Sequence, residues 1–166
     1  AKTEIEYLAS RDIINGYPNG TFQPANTLSR AHAAVLLARA FKLDTTNVKD
    51  ITFTDVPKTH PYYAQIAAVV GNGYMNGKGD GIFDPEGNLT RAQMAAILSS
   101  AYSLTGEYEK GFVDVPANYW ASKQIHALAA NEITTGYPDG TFKPGGTVTR
   151  VQYSAFLYRI LIKQEQ

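Results

Sequence analysis

The residues of this 166-residue chain best placed to do chemistry are three arginines, each set in the same short motif: Ser29-Arg30-Ala31-His32, Thr90-Arg91-Ala92-Gln93 and Thr149-Arg150-Val151-Gln152. An apolar run at helical spacing follows each one. The hydroxyl residue before each arginine is an expected N-cap, its side chain accepting the backbone N–H three residues on. Gln93 and Gln152 would complete a capping box, whereas His32 leaves the first copy without that reciprocal partner. The cap does not explain the arginine, because the helix dipole opposes a cation in the first turn by roughly 0.3–1 kcal/mol. Two roles account for it. One is an anion site in which free backbone N–H groups, the dipole and the guanidinium fork converge on a carboxylate or phosphate. The other is a structural ion pair with an Asp or Glu of a neighbouring segment. Residue chemistry does not separate them, since surface arginines are common and exposed ion pairs weak.

Composition narrows the partner. Fifteen Lys and Arg balance fifteen Asp and Glu, so no global field attracts nucleic acid or an acidic membrane surface, and any anion recognition must be local. The absence of cysteine removes disulfides, thiolate metal sites and cysteine nucleophiles. No stretch approaches the roughly 20 apolar residues of a membrane span, and no membrane insertion is expected. Ala1 to Arg11 reads as an amphipathic helix rather than a secretory leader. Eleven Tyr with 14 Gly and 8 Pro indicate many turns and partly exposed aromatic faces, which suit sugar contact as well as packing.

The elements that position the arginines recur at about 60 residues. Gly16-Tyr17-Pro18-Asn19-Gly20-Thr21-Phe22-Gln23-Pro24 returns as Gly136-Tyr137-Pro138-Asp139-Gly140-Thr141-Phe142-Lys143-Pro144. The middle copy, Gly77-Lys78-Gly79-Asp80-Gly81-Ile82-Phe83-Asp84-Pro85, keeps the glycines, the Phe and the Pro. Each unit reads as helix, Gly-rich turn, helix. The first helices are expected over Ala1 to Arg11, Tyr62 to Asn72 and Ala121 to Asn131. The second run from the arginines to about Leu43, Leu104 and Ile162, with Ala34, Leu37 and Phe41, Ala95, Leu98 and Tyr102, and Leu157 and Leu161 on their inner faces. Phe22, Phe83 and Phe142 are expected to plug the core. Phe53-Thr54-Asp55-Val56-Pro57 and Phe112-Val113-Asp114-Val115-Pro116 precede the second and third units; the first begins at its helix and reads as truncated at its N-terminus. Units this small are marginal alone. The expected fold is all-α: a pseudo-threefold trimer of helix-loop-helix repeats, 1–43, 52–104 and 111–163, forming one folded domain around a central three-helix bundle with inter-repeat grooves.

Phe-x-Asp-Val-Pro, a helix, Gly-Tyr-Pro-Asp-Gly-Thr-Phe-x-Pro and then Thr-Arg-Ala, three times over, resembles the S-layer homology domain across essentially the whole chain. The resemblance implies an extracellular protein of the cell wall or S-layer, anchored to the Gram-positive envelope by secondary cell wall polysaccharide, often through a terminal pyruvylated N-acetylmannosamine. A pyruvate ketal puts one carboxylate on an otherwise neutral sugar, a target for Arg30, Arg91 and Arg150 that needs no net basic charge. On this reading Tyr17, Tyr137 and Trp120 pack against sugar faces, and the backbone at Gly16, Gly77 and Gly136 is open to close approach. Asn76 and Thr135 precede two of those glycines, and Asp55 and Asp114 bond sugar hydroxyls or orient an arginine. Cargo or an S-layer lattice domain would lie elsewhere in the parent chain. The sequence departs from the family pattern at His32, Gln93 and Gln152, where an acid is usual, at Val151, at Lys78-Gly79 and at Pro61, which stands where Trp120 stands. The three grooves are therefore expected to differ.

An enzyme is the main rival. Asp80 with Asp84, or Glu107 with Glu109, supplies the two acids of glycoside hydrolysis, but in turns and a polar connector they suit solvation better. Triplication argues against a single catalytic constellation, and no Gly-x-Ser-x-Gly elbow is present. No catalytic residue or cofactor is expected. His32, His60 and His126 lack metal-ligand spacing, and no metal site is expected. A cell-surface protein–protein interaction repeat without a glycan ligand is the remaining alternative.

Overall fold

The computed structural model describes residues 2–14 and 26–165. Among them are six α-helices and no strand: α1 (Lys2–Ser10), α2 (Arg30–Ala40), α3 (Tyr63–Gly71), α4 (Arg91–Ala101), α5 (Ser122–Ala130) and α6 (Arg150–Gln164). Three helix-loop-helix repeats thus make an all-α fold. Helices α1, α3 and α5 are slightly shorter than periodicity suggests, and α6 runs past Ile162 to Gln164.

The helix starts follow from the caps. Thr90 and Thr149 accept the N–H of Gln93 and Gln152 while each Gln side chain returns to the cap backbone, giving two full capping boxes. Ser29 accepts from His32 N–H at 3.1 Å. The ends are equally regular. Asp12, Lys42, Ser103 and Glu132 take positive φ just past their helices. The residue after each one donates back to a carbonyl one turn earlier, as in Ile13 N–H to Leu8 O and Leu43 N–H to Ala38 O. These are Schellman ends, and Ile13 and Ile133 are buried beneath them.

Immediately before the second helices, the tripeptides Thr27-Leu28-Ser29, Asn88-Leu89-Thr90 and Thr147-Val148-Thr149 meet at the pseudo-threefold axis. Leu28 N–H donates to Val148 O, Val148 N–H to Leu89 O and Leu89 N–H to Leu28 O, at 2.8, 2.9 and 2.9 Å, a closed ring of three hydrogen bonds. Isolated antiparallel bridges flank it, Thr27 with Thr149, Ser29 with Asn88 and Thr90 with Thr147. Each repeat therefore pairs with both others, and all three central side chains are wholly buried.

Beyond the ring the second helices enclose the core. The equivalent positions Ala33, Met94 and Tyr153 are all fully buried; a small, a medium and a large residue share one level, since close packing leaves no room for three large ones. Farther along, Phe41 stacks between Tyr74 and Tyr102 at 4.6 Å from each. The closest helix pairs are α2 with α3, α4 with α5 and α6 with α1: each repeat's second helix packs against the next repeat's first, and the last pair closes the circle. Tyr7 stands edge-on to Tyr158 at 5.0 Å. Glu165 accepts from the Tyr7 hydroxyl and from Arg11 Nη2 on the same seam.

Candidate functional site

The expected plugs Phe83 and Phe142 are wholly buried, and each is held through both faces of its backbone. The Asp55 carboxylate accepts the N–H groups of Phe83 at 3.0 Å and Asp84 at 2.8 Å. Asp114 accepts those of Phe142 at 2.9 Å and Lys143 at 2.8 Å. Burial acts to raise the Asp55 pKa, but these N–H donors outweigh it and hold the carboxyl below its ordinary value. From the other side, the carbonyl of Phe83 accepts Arg30 Nε, and that of Phe142 accepts Arg91 Nε, both at 2.7 Å. Arg30 Nη2 also donates to Asn76 O at 2.7 Å. The guanidinium carbons lie 4.7 and 4.5 Å from the Phe83 and Phe142 ring centroids.

Arg30 and Arg91 thus fit neither sequence reading as stated. All three arginines are buried, with Arg30, Arg91 and Arg150 only 4, 5 and 7% exposed. Among the described residues Arg30 and Arg91 bond main-chain carbonyls of the following repeat, with no Asp or Glu partner. Burial lowers the pKa of both, with Asp84 and Asp55 opposing for Arg30, and Tyr137 and Asp114 for Arg91. The helix-tip amides are also engaged. Arg30 N–H donates to Gly87 O and Ala31 N–H to Pro85 O; Arg91 N–H to Gly146 O and Ala92 N–H to Pro144 O; and Arg150 N–H to Asn26 O. An anion held by free first-turn amides is therefore not what this geometry offers. Those amides join one repeat to the next, and the arginine beside them reaches across the same joint.

The glycines answer to packing within their own repeat. A Cβ on Gly77 would lie 2.5 Å from Phe53 Cε1 and 2.9 Å from Ile82 O, and one on Gly136, whose φ is +72°, 2.5 Å from Phe112 Cε1 and 2.7 Å from Thr141 O. The Phe of each Phe-x-Asp-Val-Pro piece fills the space that a side chain would need. Gly16 and Tyr17 lie outside the described residues.

Among the hollows of the described residues, two in the third repeat involve expected site residues. Thr135, Gly136 and Tyr137 line a hollow of about 250 Å³ with Tyr108, Lys110 and Phe112. Arg91, from the second repeat, lies 5.0 Å from the Tyr137 ring centroid, and Lys143 Nζ lies 4.2 Å from it. Trp120, 61% exposed, opens onto a second hollow of about 630 Å³. The two hollows share Lys110, Gly111 and Phe112 as a common wall. The structure thus brings Thr135, Gly136, Tyr137 and Arg91 together, with Trp120 beyond the shared wall, and places Asp114 beneath as loop support. Asn76 contributes its carbonyl to Arg30 in the equivalent place of the second repeat. Lys143 and Lys110 were not singled out from the sequence, although Lys143 stands where the middle copy has Asp84.

Among the described residues no group of three or more His, Asp or Glu is arranged to hold a metal ion. No helix there is long and apolar enough to cross a membrane. Residues 1–34, 52–95 and 111–153 match the family described as the S-layer homology domain. Similar proteins include a cellulosome-anchoring protein of Acetivibrio thermocellus, 33% identical over 90% of this chain and 35% of that protein. A surface-layer 125 kDa protein of Lysinibacillus sphaericus is 32% identical over 97% of this chain and 14% of that protein. An uncharacterised cell wall amidase of Bacillus anthracis is 34% identical over 99% of this chain and 31% of that protein. The chain spans about a third or less of the length of these relatives. With all three repeats matched by the family's profile, and a fold in which each repeat is locked to the next through its Ser/Thr-Arg motif, the chain belongs to the S-layer homology domain family.

Proposed function

We propose that the chain is a non-catalytic anchor that holds a larger surface protein to the Gram-positive cell wall by binding secondary cell wall polysaccharide. The pyruvylated N-acetylmannosamine terminus of that polymer is the proposed ligand. What carries the reading is Tyr137: its ring has the Arg91 guanidinium at 5.0 Å and the Lys143 ammonium at 4.2 Å, and the residue lines a hollow together with Thr135 and Lys110. A ring face takes the apolar side of a sugar. A carboxylate beside two cations in a partly desolvated hollow gains far more than it would in open water. Trp120, across the shared wall, offers a second stacking surface for the next sugar of the polymer.

The relatives' names point the same way, toward anchoring and the surface layer. The amidase, of which this chain spans 31%, has ample length outside the matched part for its catalysis. Cargo or lattice-forming parts belong, on this reading, to the rest of the parent protein, outside the cell. The test is co-sedimentation of the purified chain with Gram-positive wall sacculi. Binding is expected to sacculi that retain secondary polysaccharide and to vanish when that polymer is extracted. Undiminished binding to extracted sacculi would contradict the proposal.

A further inference from the structure

The first-to-second and second-to-third joints are built alike, and among the side chains in which they differ two change the charge at the joint: Lys78 against Tyr137 and Asp84 against Lys143. At the first, Lys78 Nζ is paired with Asp84 Oδ2 at 2.8 Å. The Asp84 carboxylate folds over Gly87, so closely that a Cβ there would lie 2.2 Å from Oδ2. Gly87 is the residue whose carbonyl receives the Arg30 N–H. A negative charge of the protein's own therefore already sits at the mouth of that groove, with Asp55 and Asp84 both acting on Arg30. Arg30 is also engaged twice, through Nε and Nη2.

At the second joint Tyr137 replaces Lys78 and Lys143 replaces Asp84. The backbone at the latter position is the same, with φ of 61° at Asp84 and 59° at Lys143, so the two side chains leave from equivalent places. Lys143 is exposed and has no carboxylate ion-pair partner among the described residues. Its ammonium rests over Tyr137 at 4.2 Å. Arg91 bonds the loop through Nε alone among the described residues, leaving both Nη groups without a bond to any of them. The nearby acids are already engaged: Asp114 on two backbone N–H groups, and Asp139 on the N–H and hydroxyl of Thr141.

From this contrast we infer that the groove between the second and third repeats is the anionic-sugar site of the described joints. Lys143 is its specificity-determining residue, and the groove between the first and second repeats is closed to anions by the Lys78–Asp84 pair. The inference rests on the glycan reading above and adds which groove takes the charged sugar and by which residue.

The experiment is an amide-resolved NMR titration of the chain with the pyruvylated N-acetylmannosamine monosaccharide, and with its depyruvylated form as control. Shifts are expected at Gly136 and Tyr137, with Gly77 and Lys78 silent, and only for the charged sugar. Lys143→Asp should weaken the Gly136 response by about tenfold or more, the loss of one charge-assisted hydrogen bond with a repulsion added. That variant keeps the fold, because aspartate already occupies the equivalent backbone conformation at position 84. Asp84→Asn, which releases Lys78, should bring Gly77 and Lys78 into the response. A wild-type response at Gly77 and Lys78 alone, an unchanged response in Lys143→Asp, or silence at Gly77 and Lys78 in Asp84→Asn would each overturn the groove assignment. No shift anywhere with the charged sugar would instead remove the glycan reading, and this inference with it.

Discussion

Replacing Arg91 with alanine tests whether the repeats' shared arginine is a joint or a ligand hook. The bond from Nε to Phe142 O is 2.7 Å long and buried. A hydrogen bond from a charged donor contributes about 1.5–3 kcal/mol. The guanidinium also lies against Phe142 and Tyr137 at 4.5 and 5.0 Å, adding about 0.5–2 kcal/mol, and its stem buries methylenes at about 0.8 kcal/mol each. Against these stand the desolvation that lowers its pKa and the unfavourable placement of a cation at a helix start. The net loss expected for Arg91→Ala is about 2–4 kcal/mol, or a fall in melting temperature of roughly 5–15 °C for a domain of this size. Urea unfolding followed by circular dichroism measures it, with a single transition expected because the repeats close on one another. Arg91→Lys should fall between, since it keeps the charge but loses the planar fork. Stability within about 0.5 kcal/mol of the parent would refute the joint, because surface substitutions stay inside that range.

Three further outcomes follow from the same geometry. Gly136→Ala should cost about 2 kcal/mol or more and Gly140→Ala only about 1 kcal/mol in thermal melts, because the first Cβ meets Phe112 and Thr141 at 2.5 and 2.7 Å while the second meets nothing closer than 3.8 Å. For Asp55 the folded-state pKa is lowered, so its contribution is present above the unfolded value near 4 and is lost as pH falls through the folded one. Asp55→Asn should therefore be less stable than the parent at pH 6, and the gap should narrow as pH falls through the carboxylate range; a gap of constant size from pH 6 into acid would contradict the assignment. Trp120→Ala, at a residue 61% exposed, should leave the melting temperature within about 2 °C while weakening retention on polysaccharide-bearing sacculi.

Much of this fold is legible in the chain itself. The recurring motifs place the helix starts, the caps form at Ser29, Thr90 and Thr149, and Phe83 and Phe142 plug the core. The partners of Arg30 and Arg91 are not legible, for a definite reason. A guanidinium in a sequence suggests a carboxylate or phosphate, whereas here its acceptor is a peptide carbonyl, which every residue carries and no composition reveals. Asp55 and Asp114 reach the arginine only indirectly, by gripping the N–H of the same Phe whose carbonyl the arginine holds. Gly77 and Gly136 look like openings for a ligand, yet Phe53 and Phe112 fill the space above them. The closure of α1 on α6 leaves no local trace either, because it joins the two ends of the chain. Lys143 was legible in principle, as the one basic residue in a column shared with Gln23 and Asp84, but its meaning depends on the Lys78–Asp84 pair seen only in three dimensions.

A charged sugar at the Tyr137 hollow is tested most directly by calorimetric titration of the chain with secondary cell wall polysaccharide before and after chemical removal of pyruvate. A loss of affinity of about tenfold or more on depyruvylation, as expected when a charge-assisted contact is deleted, is the predicted result. Equal affinity for the two polymers would contradict it and favour a site that reads the neutral sugar or a protein partner instead.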